Sequence, residues 1–183
     1  MSTNNAAKDA RGTRRPIRLL GDPVLRTPTD PVTDFDAALA ALVDDMFASM
    51  YAADGAGLAA NQIGVSLSVF TYDCADGDGE PHVGHIVNPV LVETGGELDD
   101  DLEGCLSMPG LHYSNPRPTF AVVTGFDLTG APIRVEGDGG LFGRCLQHET
   151  DHLRGMVFFD RLRGRAKRQA MRDALAADWA QPR

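Results

Sequence analysis

Two histidines four residues apart, with a glutamate beside the first, lie in the stretch Gln147-His148-Glu149-Thr150-Asp151-His152. On an α-helix, residues i and i+4 stand one above the other on one face, so both imidazoles can reach a single ion. Glu149 would then border the ion's open position, where a bound water becomes nucleophilic near neutral pH and a carboxylate can take and return its proton. The bland reading is a helix surface that carries these letters by chance. By itself the hexapeptide favours the metal reading by only about three to one.

The third ligand decides the chemistry. After His152 the chain follows the metalloprotease pattern H-E-x-x-H-x-x-G-x-x-H as far as Gly155, then places Phe158 where that pattern needs histidine. Glu149 is the last glutamate and His152 the last histidine, so a later ligand would have to be Asp160 or Asp173, and the better candidates lie upstream. Gly155 suits a left-handed helix cap, which needs no metal. The three cysteines, Cys74, Cys105 and Cys145, are odd in number and without paired spacing, which predicts free thiols in a reducing compartment. Cys145 reads as an apolar wall residue on the helix, and Cys74, in a polar glycine-rich stretch, as an exposed bystander. Cys105 lies in Leu102-Glu103-Gly104-Cys105-Leu106-Ser107-Met108-Pro109-Gly110, where Gly104 permits close backbone approach and Pro109-Gly110 supplies a turn. Its thiolate would complete a Cys-His-His set with the fourth position open, as in a catalytic site.

Three segments, Gly55-Ala56-Gly57-Leu58-Ala59-Ala60-Asn61-Gln62, Glu103-Gly104-Cys105-Leu106-Ser107 and Gln147-His148-Glu149-Thr150-Asp151-His152, resemble in this order the three motifs of peptide deformylases. The likeness runs from about Leu20 to about Arg163, and its specificity comes from the combination. The resemblance implies removal of the formyl group from an N-terminal formylmethionine of newly made chains. Cys105, His148 and His152 would bind the metal, Glu149 would be the acid and base, and Gln62 with the backbone N–H of Leu106 would hold the oxyanion. It implies one Fe²⁺ per chain, with Zn²⁺, Ni²⁺ or Co²⁺ able to take its place. Gly57, Met108, Leu141 and Cys145 are candidates, by resemblance or proximity, for the methionine pocket. A zinc metallopeptidase is the alternative, and a structural metal module would need a fourth Cys or His. His82, His85 and His112 show no tight spacing to Cys105.

Two positions depart from the family pattern. Leu111-His112-Tyr113-Ser114-Asn115-Pro116 has no arginine near where some members hold the substrate backbone, which leaves His112 or Tyr113 to substitute. Arg144 stands where many relatives carry an apolar pocket residue; it would fold outward or pair with Glu103. Arg117 is expected to pair with Asp151 or Glu103 behind the metal.

The positioning elements follow from periodicity. Phe35, Leu39, Leu42, Val43, Met46, Phe47 and Met50 predict an amphipathic helix capped at Thr33 or Asp34 and stopped at Gly55. Val65, Leu67 and Val69 alternate as a strand, 86–92 and 119–126 read as further strands, and Asp127-Leu128-Thr129-Gly130 as a hairpin turn before 133–135. Consecutive strands flanked by helices predict an α+β single domain, its antiparallel or mixed sheets packed around a central metal-binding helix, with a C-terminal helix beyond. The resemblance implies the same fold.

Length and charge bound the rest. A chain of 183 residues with 43% apolar content can bury one core, and its net charge is −9. Residues 1–15 hold four basic residues and one acidic, 161–183 seven and two, which leaves 6 basic and 23 acidic residues in 16–160. Expected, then, are a disordered basic tail over 1–15, a catalytic domain over 16–163 and a basic helix over 164–183 docked by Leu162, Ala166, Met171, Leu175 and Trp179. Arg161, Arg163, Arg165, Lys167, Arg168 and Arg172 read first as a solvated face and second as a contact for ribosomal RNA. No apolar run is long enough for a membrane, and a cytoplasmic monomer is expected.

Overall fold

A computed structural model describes residues 11–180. The first helix, α1 (Ala37–Ala52), is capped by Asp36, whose carboxylate accepts from the N–H groups of Ala38 and Leu39 at 2.9 and 3.0 Å. The cap thus falls two residues beyond the expected Asp34, whose carboxylate accepts from Thr33. Asp54 takes the left-handed turn (φ 53°) and Gly55 N–H closes onto Met50 O at 2.9 Å. Leu39, Leu42, Val43, Met46 and Met50 bury the apolar stripe, as the periodicity requires.

Five antiparallel strands form the main sheet: β1 (Gly57–Ala59), β2 (Val69–Ala75), β3 (Pro81–Asp99), β6 (Arg117–Phe126) and β7 (Pro132–Asp138), joined edge to edge in that order. A second, two-stranded sheet pairs β4 (Leu102–Gly104) with β5 (His112–Ser114). The sheets are antiparallel throughout, so the mixed alternative drops out. The strand expected from Val65 begins at Val69, because Ser68 and Val69 first turn through bonds to Asp30 and Leu67. β3 is far longer than the apolar stretch 86–92, and three register shifts bend it as it pairs with β6. The hairpin at 127–130 forms as read, with Asp127 Oδ1 accepting from the N–H groups of Thr129 and Ala131 at 2.8 and 3.0 Å. Cys74 is not an exposed bystander: it lies in β2, buried against Phe70, Tyr72, Phe142 and Cys145.

Helix α2 (Gly140–Leu153) opens on two glycines of positive φ, Gly139 (φ 69°) as its cap and Gly140 (φ 55°) as its first residue. Every residue from Phe142 to Leu153 is buried, so this is a central helix laid on the sheet, and polar side chains on it must find partners inside the protein. Gly143 sets how closely it lies: a Cβ there would strike the carbonyl oxygen of Thr119 on β6. Gly137 on β7 faces it, with a would-be Cβ 2.9 Å from Gly143 Cα.

Helix α3 (Gly164–Ala176) docks through Ala170 and Ala174, one turn apart, into a cluster holding Leu25, Phe158, Phe159 and Leu162. This corrects the expected docking face. Leu162 is buried and Trp179 donates to Pro109 O at 3.1 Å, but Ala166 is exposed, Met171 is 41% exposed and Leu175 is 70% exposed. Small alanines let the helix approach, and Tyr113 on β5 pins it by a 2.5 Å hydrogen bond to Asp173. The first ten residues of the expected tail lie outside the described residues, whereas 13–15 are bound to α1. Thr13 N–H and the Arg15 guanidinium both donate to Asp45 at 2.6 Å, and Arg15 N–H donates to Ser49 Oγ at 2.9 Å.

The close α2–β6 packing yields a sign test. Gly→Ala within a helix ordinarily stabilises by about 1 kcal/mol. At Gly143 the added methyl meets fixed backbone, so Gly143→Ala is expected to destabilise by about 1–3 kcal/mol, read as a lower denaturant midpoint. A raised midpoint would show that the helix does not depend on this approach.

Candidate active site

His148 and His152 stand on α2 one turn apart, and Cys105 approaches from the loop after β4. The Cys105 Sγ lies 3.1 Å from His152 Nε2, which lies 3.2 Å from His148 Nε2, and the three donor atoms all fall within 4.8 Å of one another. His148 Nδ1 is 2.6 Å from Glu103 Oε1, and with Glu103 held as a carboxylate the proton of that bond belongs to Nδ1, which leaves Nε2 as the nitrogen that faces the other two donors. Three electron-rich atoms converging on one point repel one another unless a proton or a cation sits between them. A thiol and two imidazoles are the donors that a late first-row divalent ion takes, and three protein ligands leave a position open. The residues present therefore fit a metal ion.

Glu103 is the hub behind this group. It is buried on β4, and its Oε1 accepts from Arg117 Nη2 at 2.6 Å as well as from His148. Its Oε2 accepts from Arg117 Nε at 2.7 Å, and from Asn115 Nδ2 and Arg144 Nη1 at 3.0 Å each. Burial alone would raise its pKa, but the hydrogen bonds from Arg117 and His148 outweigh burial and hold it well below the usual carboxylate range. Arg117 reaches on to Asp151 Oδ2 at 3.0 Å, so it takes both partners expected of it. Arg161 pairs with the same aspartate, which removes it from the free basic face.

Glu149, beside His148, has a different environment. Burial pushes its carboxyl up to about 7, against the opposing charge of His148, and its Oε2 has no hydrogen-bond partner. Such a carboxylate is matched to exchanging protons near neutral pH. Gly57 makes room for it: a Cβ there would strike Glu149 Oε1 and approach Cys145 Sγ at 2.7 Å.

These groups share a cavity of about 530 Å³ lined by Gly57, Gln62, Leu106, Leu141, Cys145 and Glu149 among others. Gln62 is held by its Oε1, which accepts from Ala59 N–H at 2.9 Å, and its Nε2 faces Ser107 Oγ at 3.1 Å and Cys105 Sγ at 3.5 Å. Leu141 is half exposed at the mouth, and Cys145 is the wall residue anticipated. Met108 is a correction: its N–H closes a turn onto Cys105 O at 2.9 Å, and its side chain packs fully buried with Leu25, Phe158 and Phe159. It backs the Cys105 loop without facing the cavity. His112 lines the cavity, whereas Tyr113 is committed to Asp173. Arg144 turns inward to Glu103, the second of its two anticipated positions.

Some contributors escaped the sequence reading. Asn61, fully buried beside Gln62, donates through Nδ2 to His152 O at 2.6 Å, and Ser107 meets the Gln62 amide. Asn115 supports Glu103 from the turn before β6. Asn61 and Ser107 lie within the motif segments, but nothing local reports which partners they meet.

An antiparallel sheet wrapped on a buried helix that carries two histidines and an elevated glutamate, with a cysteine opposite, defines a hydrolase of the single-metal class. Comparison with known proteins narrows this. The family model described as polypeptide deformylase matches residues 14–168. "Peptide deformylase 2" of Streptomyces coelicolor is 56% identical over 93% of this chain and 94% of its own length. A peptide deformylase structure from Legionella pneumophila has 40% identity and a TM-score of 0.78, covering 88% of this chain and 94% of that one. One from Synechococcus elongatus, in complex with actinonin, has 38% identity and a TM-score of 0.77, covering 90% and 89%. This chain belongs to the polypeptide deformylase family. The metallopeptidase alternative falls away, since Phe158, at its third-ligand position, is sealed in the core with its ring 6.1 Å from that of His148.

Proposed function

We propose that this chain hydrolyses the formyl group from the N-terminal formylmethionine of newly synthesised polypeptides, releasing formate. The observation that carries the reading is one cavity lined by Cys105, His148, Gln62 and Glu149, where the Cys105 and His148 donors converge with that of His152 and a buried Glu149 oxygen has no hydrogen-bond partner. A divalent ion on those three donors, Fe²⁺ by family resemblance with Zn²⁺, Ni²⁺ or Co²⁺ as substitutes, supplies Lewis acidity that makes water nucleophilic and polarises the formyl oxygen.

The chain's own groups do the remainder. Glu149 removes the proton from the attacking water. As the carbon becomes tetrahedral, charge develops on the former carbonyl oxygen, and Gln62 Nε2 with the Leu106 N–H donates to it. Glu149 then returns its proton to the departing amine nitrogen, which leaves formate and a free N-terminus. Gly57 gives the substrate backbone room, while Leu141 and Cys145 wall the methionine side chain.

The setting belongs to the same proposal: a cytoplasmic monomer meeting nascent chains. No helix among the described residues is long and apolar enough to cross a membrane. On α3, Arg165, Arg168 and Arg172 are exposed on the side away from Ala170 and Ala174, a face suited to ribosomal RNA, whereas the half-buried Lys167 stands on the docking side.

Two measurements follow. Protein purified without oxygen and loaded with Fe²⁺ or Ni²⁺ is expected to release formate from formyl-Met-Ala-Ser, and Glu149→Gln to lose at least about 10²-fold in kcat. An inactive wild type, or a fully active Glu149→Gln, contradicts the mechanism. Reversing Arg165, Arg168 and Arg172 to glutamate is expected to weaken ribosome association most at low salt, and unchanged association across a salt series refutes the RNA contact.

A further inference from the structure

We propose that Arg144 is a positioning residue that locks the two halves of the Cys-His-His group together, an inference that rests on the metal-site reading above. The group is divided between elements: His148 and His152 stand on α2, whereas Cys105 stands on the loop that leaves β4. Donors on separate elements hold a common geometry only if something stiff joins those elements, and the tolerance is about 0.5 Å.

Arg144 begins on α2, one turn before His148, and ends on the other half. Its Nη1 donates to Glu103 Oε2 at 3.0 Å and to Asn115 O at 2.6 Å. Its Nη2 donates to Asp99 O at 2.9 Å and pairs with Asp99 Oδ2 at 3.3 Å. Those acceptors are the end of β3, the middle of β4 and the turn before β6. One planar fork therefore gathers the chain segments on either side of Cys105 and ties them to the helix that carries the histidines. Arg144 is 6% exposed, and its bonds to Glu103 and Asn115 are buried away from competing water, while Asp99 closes the fork at the surface.

Arg117 ties the same halves from β6, whereas Arg144 is rooted in α2 itself. Arg117 grips Glu103 and meets α2 only further along, at Asp151. Arg144 binds Glu103 directly to the turn of α2 that precedes His148. With Oε2 occupied by Asn115, Arg117 and Arg144, the carboxylate cannot rotate away, and Oε1 stays turned to His148 Nδ1. Arg144 also lines the cavity. A guanidinium suits the task because its donors lie in a fixed plane, whereas a lysine would bring one point charge and no fork.

The test reads metal retention and leaves formate aside, so a failure of the activity reading registers separately. Wild type, Arg144→Met and Arg144→Lys are loaded with Ni²⁺ and mixed with excess chelator well below their unfolding temperatures; Co²⁺-loaded samples give the visible absorption spectrum. Methionine keeps an apolar wall without the fork. The expected result is release about tenfold faster or more from Arg144→Met with a shifted Co²⁺ band, and an intermediate rate from Arg144→Lys. Release from Arg144→Met within about twofold of wild type, with an unchanged spectrum, overturns the proposal. Should Arg144→Met fail to fold, Arg144→Lys decides, and wild-type release from it overturns the proposal equally. A structural role alone would lower thermal stability in both variants and leave release rates and spectrum in place.

Discussion

One buried carboxylate organises the site. Glu103 accepts from two arginines, an asparagine and His148 without exposure to water, so its charge is met entirely by protein donors. A charge buried this way is costly to desolvate, and its worth to the protein lies more in geometry than in net stability. Held ionised, Glu103 fixes the proton of His148 on Nδ1 and turns Nε2 toward Cys105 and His152. Asp151 balances the excess of arginine charge from the last turns of the same helix.

The contrast between two glutamates on facing elements carries the chemistry. Glu103 is surrounded by cationic donors and stays a carboxylate. Glu149 is equally buried but has an oxygen without a partner, and its pKa rises to about 7. The same side chain thus becomes an orienting anion in one place and a proton carrier in the other, by environment alone. Packing supports the division. Gly143 lets α2 sink onto β6, which brings Glu149 to Gly57 on the edge strand, and Gly57 in turn leaves it space.

The sequence made the ligand set legible because histidines at i and i+4 have one geometric meaning on a helix, and because Phe158 barred the commonest continuation. The amphipathic stripe of α1 and the Asp127 turn were legible for the same reason: their signals are local. What escaped was set by tertiary contact. Cys74 sits in a polar stretch, yet α2 covers it, and nothing near it in sequence reports that helix. Met108 lies beside the motif, but the turn onto Cys105 O directs its side chain into the α3 cluster. The docking face of α3 was misread because two alanines, individually uninformative, are what a close approach needs, while the larger Met171 and Leu175 face outward. Arg144 could be narrowed to two outcomes, and only the fold chose Glu103.

The central claim is that Glu103 holds His148 with its proton on Nδ1 and its Nε2 free for the ion. Heteronuclear NMR of the zinc-loaded protein with ¹⁵N-labelled histidine tests it without altering the chain. The account predicts a His148 Nδ1 that carries a slowly exchanging proton in a strong hydrogen bond, with Nε2 unprotonated. A His148 protonated on Nε2, or an Nδ1 proton that exchanges as fast as that of a surface imidazole, would contradict it.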